Sequence, residues 1–212
     1  MTATDGPLAM FPLGSVLLPG MALPLRVFEP RYRQMVADVQ DDGSGRFGVV
    51  LIERGSEVGG GDVRTDVGCT ATIRAVQDAA DGTLALLAVG EERVRVREWL
   101  PEDPYPRALV ERWPDEGEGG ATPEVPDALT QEVLEVVSLA LRLIGEPPPA
   151  QPTFSEDPVR RCWELATLAP LGALDRQRVL RAPGPAERVE LLWELVGEQR
   201  ILLEARERFG QG

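Results

Sequence analysis

Residues 8–39 read LAMFPLGSVLLPGMALPLRVFEPRYRQMVADV. Between Leu8 and Leu25 the apolar residues are interrupted by Pro12, Gly14, Pro19, Gly20 and Pro24. Proline removes a backbone donor and clashes with the preceding helical turn. The stretch is therefore not helical, and its apolar residues suit extended, half-buried chain. From Glu29 the pattern changes. Pro30 fits a first helical turn, and Tyr32, Met35, Val36 and Val39 recur at helical spacing, which predicts a short amphipathic helix packed on a sheet.

Working outward, the segments Arg46 to Ile52, Gly68 to Gln77, Leu84 to Val89, Glu91 to Trp99 and Tyr105 to Arg112 read as strands. In Arg93-Val94-Arg95-Val96-Arg97 the strict alternation puts valines on one face and arginines on the other, the pattern of a strand with one solvated side. Asp81-Gly82 between two apolar runs is a hairpin signal, and residues 55–61, GSEVGGG, read as a mobile loop. Strands this close together, with little helix between them, predict a small antiparallel or mixed barrel-like sheet rather than a βαβ nucleotide fold.

Asp115 to Pro126 has the Gly, Glu and Pro content of a linker. Beyond it the period becomes helical: Pro126 to Ile144, ended by Gly145 and a proline run that reads as a second hinge to Pro152; Asp157-Pro158 to Ala169; a short helix capped by Asp175; and a long last helix opened by Pro185. In that last helix Leu191, Leu195 and Leu202 form one stripe and Leu192, Val196 and Leu203 the next, both expected to face a bundle core. The residues thus predict an α+β chain with a β-rich subdomain over 1–114, a linker over 115–126 and an α-helical bundle over 127–212.

Composition removes most chemistry. The 212 residues hold 35 acidic against 22 basic side chains, a net charge of −13, with no histidine and no lysine. Every basic residue is an arginine, which stays protonated at any useful pH. No His-based nucleophile pair or zinc helix can form, and no lysine-dependent phosphate loop, Schiff base or Ser-Lys dyad. The acidic balance excludes a basic surface that tracks phosphates, so nucleic acid is not an expected partner. No stretch approaches the length of a membrane span, and the first residues lack a secretory pattern; the expected location is cytoplasmic. Cys69 and Cys162 lie far apart in apolar sequence and read as buried, reduced structural residues. No metal or cofactor is expected: the Asp41 to Gly45 run lacks calcium-loop spacing, and Gly59 to Gly61 lack the helix start and basic side chain of an anion site.

The runs FPLGSVLLPGMALPLRVFEPRYRQMVADV, RFGVVLIERGSEVGGGDVRTDVGCTATI and TLALLAVGEERVRVREW closely resemble the N-terminal substrate-binding domain of Lon proteases. So does the pattern of a Leu-Pro break at Leu168 to Leu171, a short helix through Leu180 and a long final helix from Glu187, so that the likeness runs from about Pro7 to about Arg208. The resemblance implies a six-stranded, PUA-like pseudo-barrel followed by a helical bundle, in a bacterial protein that binds polypeptides. It also implies a stand-alone, non-catalytic module, because 212 residues without lysine hold neither the ATPase nor the Ser-Lys peptidase of a full Lon.

The expected partners are therefore unfolded or degron-bearing polypeptides, held through exposed apolar segments by apolar burial and main-chain pairing at a sheet edge. Phe11, Leu13, Met21, Leu23, Arg26, Glu29, Arg31 and Tyr32 are the candidate peptide-binding residues, although Glu29 and Arg31 also serve as the setting of a helix start. An adaptor or self-associating scaffold that binds a folded protein partner is the alternative, with the chain a monomer or weak homodimer.

Overall fold

The computed structural model describes residues 6–54, 63–80, 82–116, 124–147 and 152–209. The chain is α+β and divides into two compact units, residues 1–114 and 115–212. The expected loop at 55–61, Asp81 of the hairpin signal, and residues 117–123 and 148–151 of the two expected hinges lie outside the described residues.

The first unit holds β1 (Leu8–Leu13), β2 (Ala22–Val27), α1 (Pro30–Asp41), β3 (Arg46–Arg54), β4 (Val63–Asp78), β5 (Leu84–Trp99) and β6 (Arg107–Arg112). The order across the sheet is β2-β5-β4-β3-β1-β6, and β6 also pairs with β5. The pairing of β1 with β3 is parallel and the others are antiparallel. The second half of β5 carries β6, from Val94 opposite Arg112 to Trp99 opposite Ala108, and so closes a ring. The first half carries β2, from Ala22 opposite Val89 to Val27 opposite Leu84, and leaves β2 as an edge strand.

Two cores explain why β1 reads as a continuous apolar run. Ala9, Phe11 and Leu13 join a cluster with Tyr32, Met35, Val36 and Val39 of α1, whereas Leu8 and Met10 join Val50, Val94, Val96, Ala108 and Val110. Side chains alternate across a strand, so odd residues of β1 serve one core and even residues the other. Gly48 lies opposite Met10 in the register, and a Cβ there would come within 2.5 Å of Met10 Sδ. Glycine makes the hole that the methionine fills.

The sequence predicts two strands meeting at Gly90; the structure has one strand of 16 residues, bent. Cys69 pairs with Arg93 and Ala71 with Gly90, so Glu91 and Glu92 together face Thr70. One extra residue reverses the alternation. Leu86 and Ala88 before the bulge therefore enter the core under α1, while Val94 and Val96 after it enter the ring. The Thr70 hydroxyl accepts from Glu92 N at 3.2 Å and supports the bulged backbone. Arg93 corrects the expectation of a solvated arginine face: it is 5% exposed, its guanidinium lies 4.4 Å from the Trp113 ring centroid, and it donates to Pro114 O at 3.2 Å. Arg97 is exposed and pairs with Glu111. A planar, weakly hydrated cation can be buried against an aromatic face, which alternation alone does not reveal.

The second unit holds α2 (Asp127–Leu143), α3 (Pro158–Leu168), α4 (Ala173–Arg181) and α5 (Pro185–Phe209), with α5 packed on the other three. Asp157 caps α3 by accepting from Val159 N at 3.0 Å. The cap of α4 is Gly172, and Asp175 sits inside its first turn, 3.5 Å from Arg178; a carboxylate there favours the helix start through the dipole rather than as a cap. On α5, Leu192, Leu195, Val196 and Leu203 are buried as expected, but Leu202 is 54% exposed. Arg188 of α5 is fully buried, donates to Asp115 at 2.6 and 3.3 Å, and stacks 3.6 Å from the Trp163 ring centroid.

Candidate functional site

The accessible chemistry of the first unit gathers along β2 and the start of α1. The loop leading into β2 docks through main chain: Gly20 N donates to Gly90 O and Gly90 N to Met21 O, both at 2.9 Å. A Cβ on Gly90 would run into the Leu18 carbonyl, so glycine is what lets this loop approach β5 and sets where β2 begins. β2 has no second strand partner among the described residues. Pro24, lacking an N–H, suits such an edge.

Alternation divides β2 cleanly. Leu23 and Val27 are buried and Leu25 is partly buried against the core under α1, while Ala22, Pro24 and Arg26 face outward. Across the sheet Pro24 lies opposite Leu87 and Leu87 opposite Ala75; Arg26 lies opposite Ala85 and Ala85 opposite Gln77. Ala22, Pro24, Ala75, Ala85 and Leu87 are all exposed, and Phe28, just past the strand, is 58% exposed. This outer face is more apolar than a sheet meeting only water requires.

Charges border it. Arg26 Nε donates to Thr83 Oγ1 at 3.2 Å, and Arg33 donates to the Gly82 carbonyl. Glu29, the N-cap of α1, makes no side-chain cap bond; its Oε2 instead receives Arg31 Nε at 3.1 Å. Arg31 also lies 3.7 Å from Glu102, which holds Arg64 at 2.5 Å, and 4.6 Å from the Tyr32 ring centroid.

Of the eight sequence-derived candidates, the structure puts Phe11, Leu13, Leu23 and Tyr32 in the core. Phe11 and Tyr32 stack on each other, 4.0 Å between centroids and 7° from parallel. Met21 is half-buried against that core, Arg26 is exposed, and Glu29 and Arg31 are partly buried and paired. Pro24, Phe28 and Leu87, exposed on the outer face, are not among those eight candidates. Parity was the available signal: once Leu23, Leu25 and Val27 are assigned inward, the even residues from Ala22 to Phe28 point outward.

Burial pushes the Cys69 thiol up to about 12 and the Cys162 thiol up to about 11, so both stay protonated and unreactive near neutrality. A thiol reagent at pH 8 is accordingly expected to modify neither cysteine of the native protein on the time scale that labels both in denaturant. Rapid stoichiometric labelling of either one without denaturant would contradict this burial. Among the described residues no group of three or more His, Cys, Asp or Glu is placed to hold a metal ion, and no helix is long and apolar enough to cross a membrane.

The first unit is thus a ringed sheet with one open edge strand and an apolar outer face, and a helical unit follows it in the chain. The model of the ATP-dependent protease La (LON) substrate-binding domain matches residues 7–198, and the chain belongs to that family. It is 26% identical to Lon protease 1 of Herpetosiphon aurantiacus over 96% of this chain and 26% of that protein. It is 28% identical to Lon protease 2 of Syntrophobacter fumaroxidans over 91% of this chain and 24% of that protein. The chain thus spans about a quarter of the length of these curated relatives, and what it matches is the substrate-binding domain, a non-catalytic module. Among solved structures, the Lon N-terminal domain protein from Xanthomonas campestris superposes with a TM-score of 0.65 at 29% identity, covering 89% of this chain and 98% of that one. The N-terminal domain of Mycobacterium avium complex Lon protease shares the fold, with a TM-score of 0.55 at 19% identity over 91% of this chain and 98% of that one.

Proposed function

We propose that residues 1–114 bind exposed apolar segments of unfolded or degron-bearing polypeptides against β2 and the outer face it shares with β5 and β4. The observation that carries this reading is Phe28, 58% exposed immediately after an edge strand whose exposed residues include Pro24 and Ala22. A large aromatic left in water beside a small apolar face is a surface awaiting a partner. Family membership supports a polypeptide as that partner.

Pro24 interrupts the donors that a fully added strand would use. Affinity therefore comes chiefly from apolar burial, with main-chain pairing as a lesser contribution. Arg26 and the Glu29-Arg31 pair set orientation at the border. Binding is noncovalent and without turnover.

The test is a fluorescence-anisotropy titration of a labelled, permanently unfolded polypeptide, with its folded form as control. Saturable binding of the unfolded chain alone is expected. Phe28→Asp and Leu87→Asp should each weaken it about tenfold or more, since burying one large apolar side chain is worth roughly 1.5–3 kcal/mol. Leu23→Asp is unsuitable here, because Leu23 is core and the variant reports folding. Absence of binding, or binding indifferent to Phe28 and Leu87 in variants of native stability, would overturn the proposal.

A further inference from the structure

Pro24 breaks the donor row of β2, but the sheet has a second open stretch, on β4. The pairing of β4 with β3 extends no further than Thr72, opposite Arg46, so from Ala75 to Asp78 the strand pairs with β5 alone among the described residues. The ladder fixes which way its main-chain groups point. Ala79 N donates to Thr83 O at 2.8 Å, and hydrogen-bonded pairs alternate along an antiparallel ladder. Gln77 opposite Ala85 and Ala75 opposite Leu87 therefore bond to β5, whereas Val76 and Asp78 turn both N–H and C=O to the open side. Neither has another main-chain partner among the described residues. Ile73, just before the bulge, points the same way, and its N–H is taken by Gly45 O at 2.8 Å.

A cleft of about 520 Å³ lies between α1 and this part of the sheet. Apolar Val36, Ala37, Val76 and Leu84 line it, with Gln40 and Asp78 as polar members. Arg33 also borders the cleft and donates to the Gly82 carbonyl. A strand added to β4 would alternate between two apolar places. Its side chains opposite Val76 and Asp78 enter the cleft, and those opposite Gln77 continue the outer face of Ala75 and Leu87. An open row of main-chain groups beside an apolar cleft is complementary to an extended backbone with apolar side chains. A second copy of the chain fits less well, because it brings a net charge of −13 against the same charge.

Resting on the reading that the first unit binds non-native polypeptides, we propose that an apolar segment of the substrate adds as an antiparallel strand to β4 at Val76 and Asp78, with alternate side chains in the cleft beside α1. One substrate residue exchanges both hydrogen bonds with Val76, and the residue two positions away does the same with Asp78. The outer face then holds the apolar surface, and this edge supplies the main-chain pairing that Pro24 denies to β2.

Anisotropy titrations of the whole 212-residue chain test this with a labelled synthetic peptide in which leucine and threonine alternate between terminal arginines. Leucines suit the cleft, so the leucine N–H groups are the ones that meet Val76 and Asp78. Methylating the leucine nitrogens should weaken binding about tenfold or more by removing those donors. Methylating the threonine nitrogens instead should leave binding within about twofold, since those groups face away from the protein. Asp78→Pro should weaken the unmethylated peptide about fivefold, because proline removes an outward donor that the β5 ladder does not use. Asp78→Asn keeps that donor and should stay within about twofold of wild type, an exposed charge being worth little. Thermal melts check that both variants are folded, and the methylated peptides need no variant.

Equal sensitivity to the two methylations, or the reverse order, would overturn strand addition at this edge. If the permanently unfolded polypeptide binds and responds to Phe28→Asp, while leucine methylation and Asp78→Pro change nothing, the β4 edge falls and the outer-face reading stands. If leucine methylation weakens binding and Phe28→Asp does not, the edge stands and the outer face falls. Failure of both the peptide and the unfolded polypeptide to bind would overturn the two together.

Discussion

Arg188→Met is expected to cost the second unit about 3–5 kcal/mol, the range for breaking a buried ion pair from one side. Arg188 is wholly buried at the first turns of α5, holds Asp115 through two hydrogen bonds and covers the Trp163 ring. Removing the guanidinium takes from the partly buried Asp115 carboxylate the two hydrogen bonds that Arg188 gives it. For a unit of this size a loss of that order lowers the melting temperature by about 15 °C or more. Lysine is a poor substitute, because one ammonium reproduces neither the two-pronged carboxylate contact nor the flat stack on Trp163. The double variant Arg188→Met with Asp115→Leu should recover much of the loss, since an apolar pair can replace a buried ion pair at little cost once neither charge is orphaned. Urea titrations of the two single variants and the double variant measure this coupling. A single-variant loss below about 1 kcal/mol would mean that the Asp115 segment is not anchored by α5.

Nothing in the spacing of the sequence points to that pair. Asp115 reads as the first residue of a linker and Arg188 as one more charge on an amphipathic helix, and they are 73 positions apart. What sequence does carry is local: the proline-broken opening, the Pro30 helix start and the apolar periods of α2 and α3 all follow from short-range sterics and burial. Where long-range pairing decides, the reading stops. The bulge at Glu91 and Glu92 merges two expected strands into one and reverses which residues face which core, and no local signal marks it. Arg93 and Leu202 break the expected pattern in opposite directions, a charge buried against Trp113 and a leucine left in water. The candidate site suffered from the same limit. Phe11, Leu13, Leu23 and Tyr32 are the apolar and aromatic candidates that lie buried, and such residues are the ones a core recruits first.

Phe11 and Phe28 turn that distinction into opposite expected results. Phe11 is 8% exposed, stacks on Tyr32 and leans on Phe47 at 6.2 Å between centroids. Phe11→Ala removes a ring from a close-packed core and should destabilise the first unit by about 3–5 kcal/mol, with Phe11→Leu losing about 1–2 kcal/mol because much of the volume is retained. Phe28→Ala, at an exposed position, should change stability by less than about 0.5 kcal/mol and yet weaken binding of the unfolded polypeptide. Urea unfolding and the anisotropy titration, run on the same preparations, read the two quantities separately. Any polypeptide-binding loss in Phe11→Leu should then scale with the fraction unfolded, whereas the loss in Phe28→Ala should appear in fully native protein. If Phe11→Leu lost affinity while remaining folded and Phe28→Ala did not, the binding surface would lie at the β1 side of α1 and the outer face of β2 would be only a sheet surface.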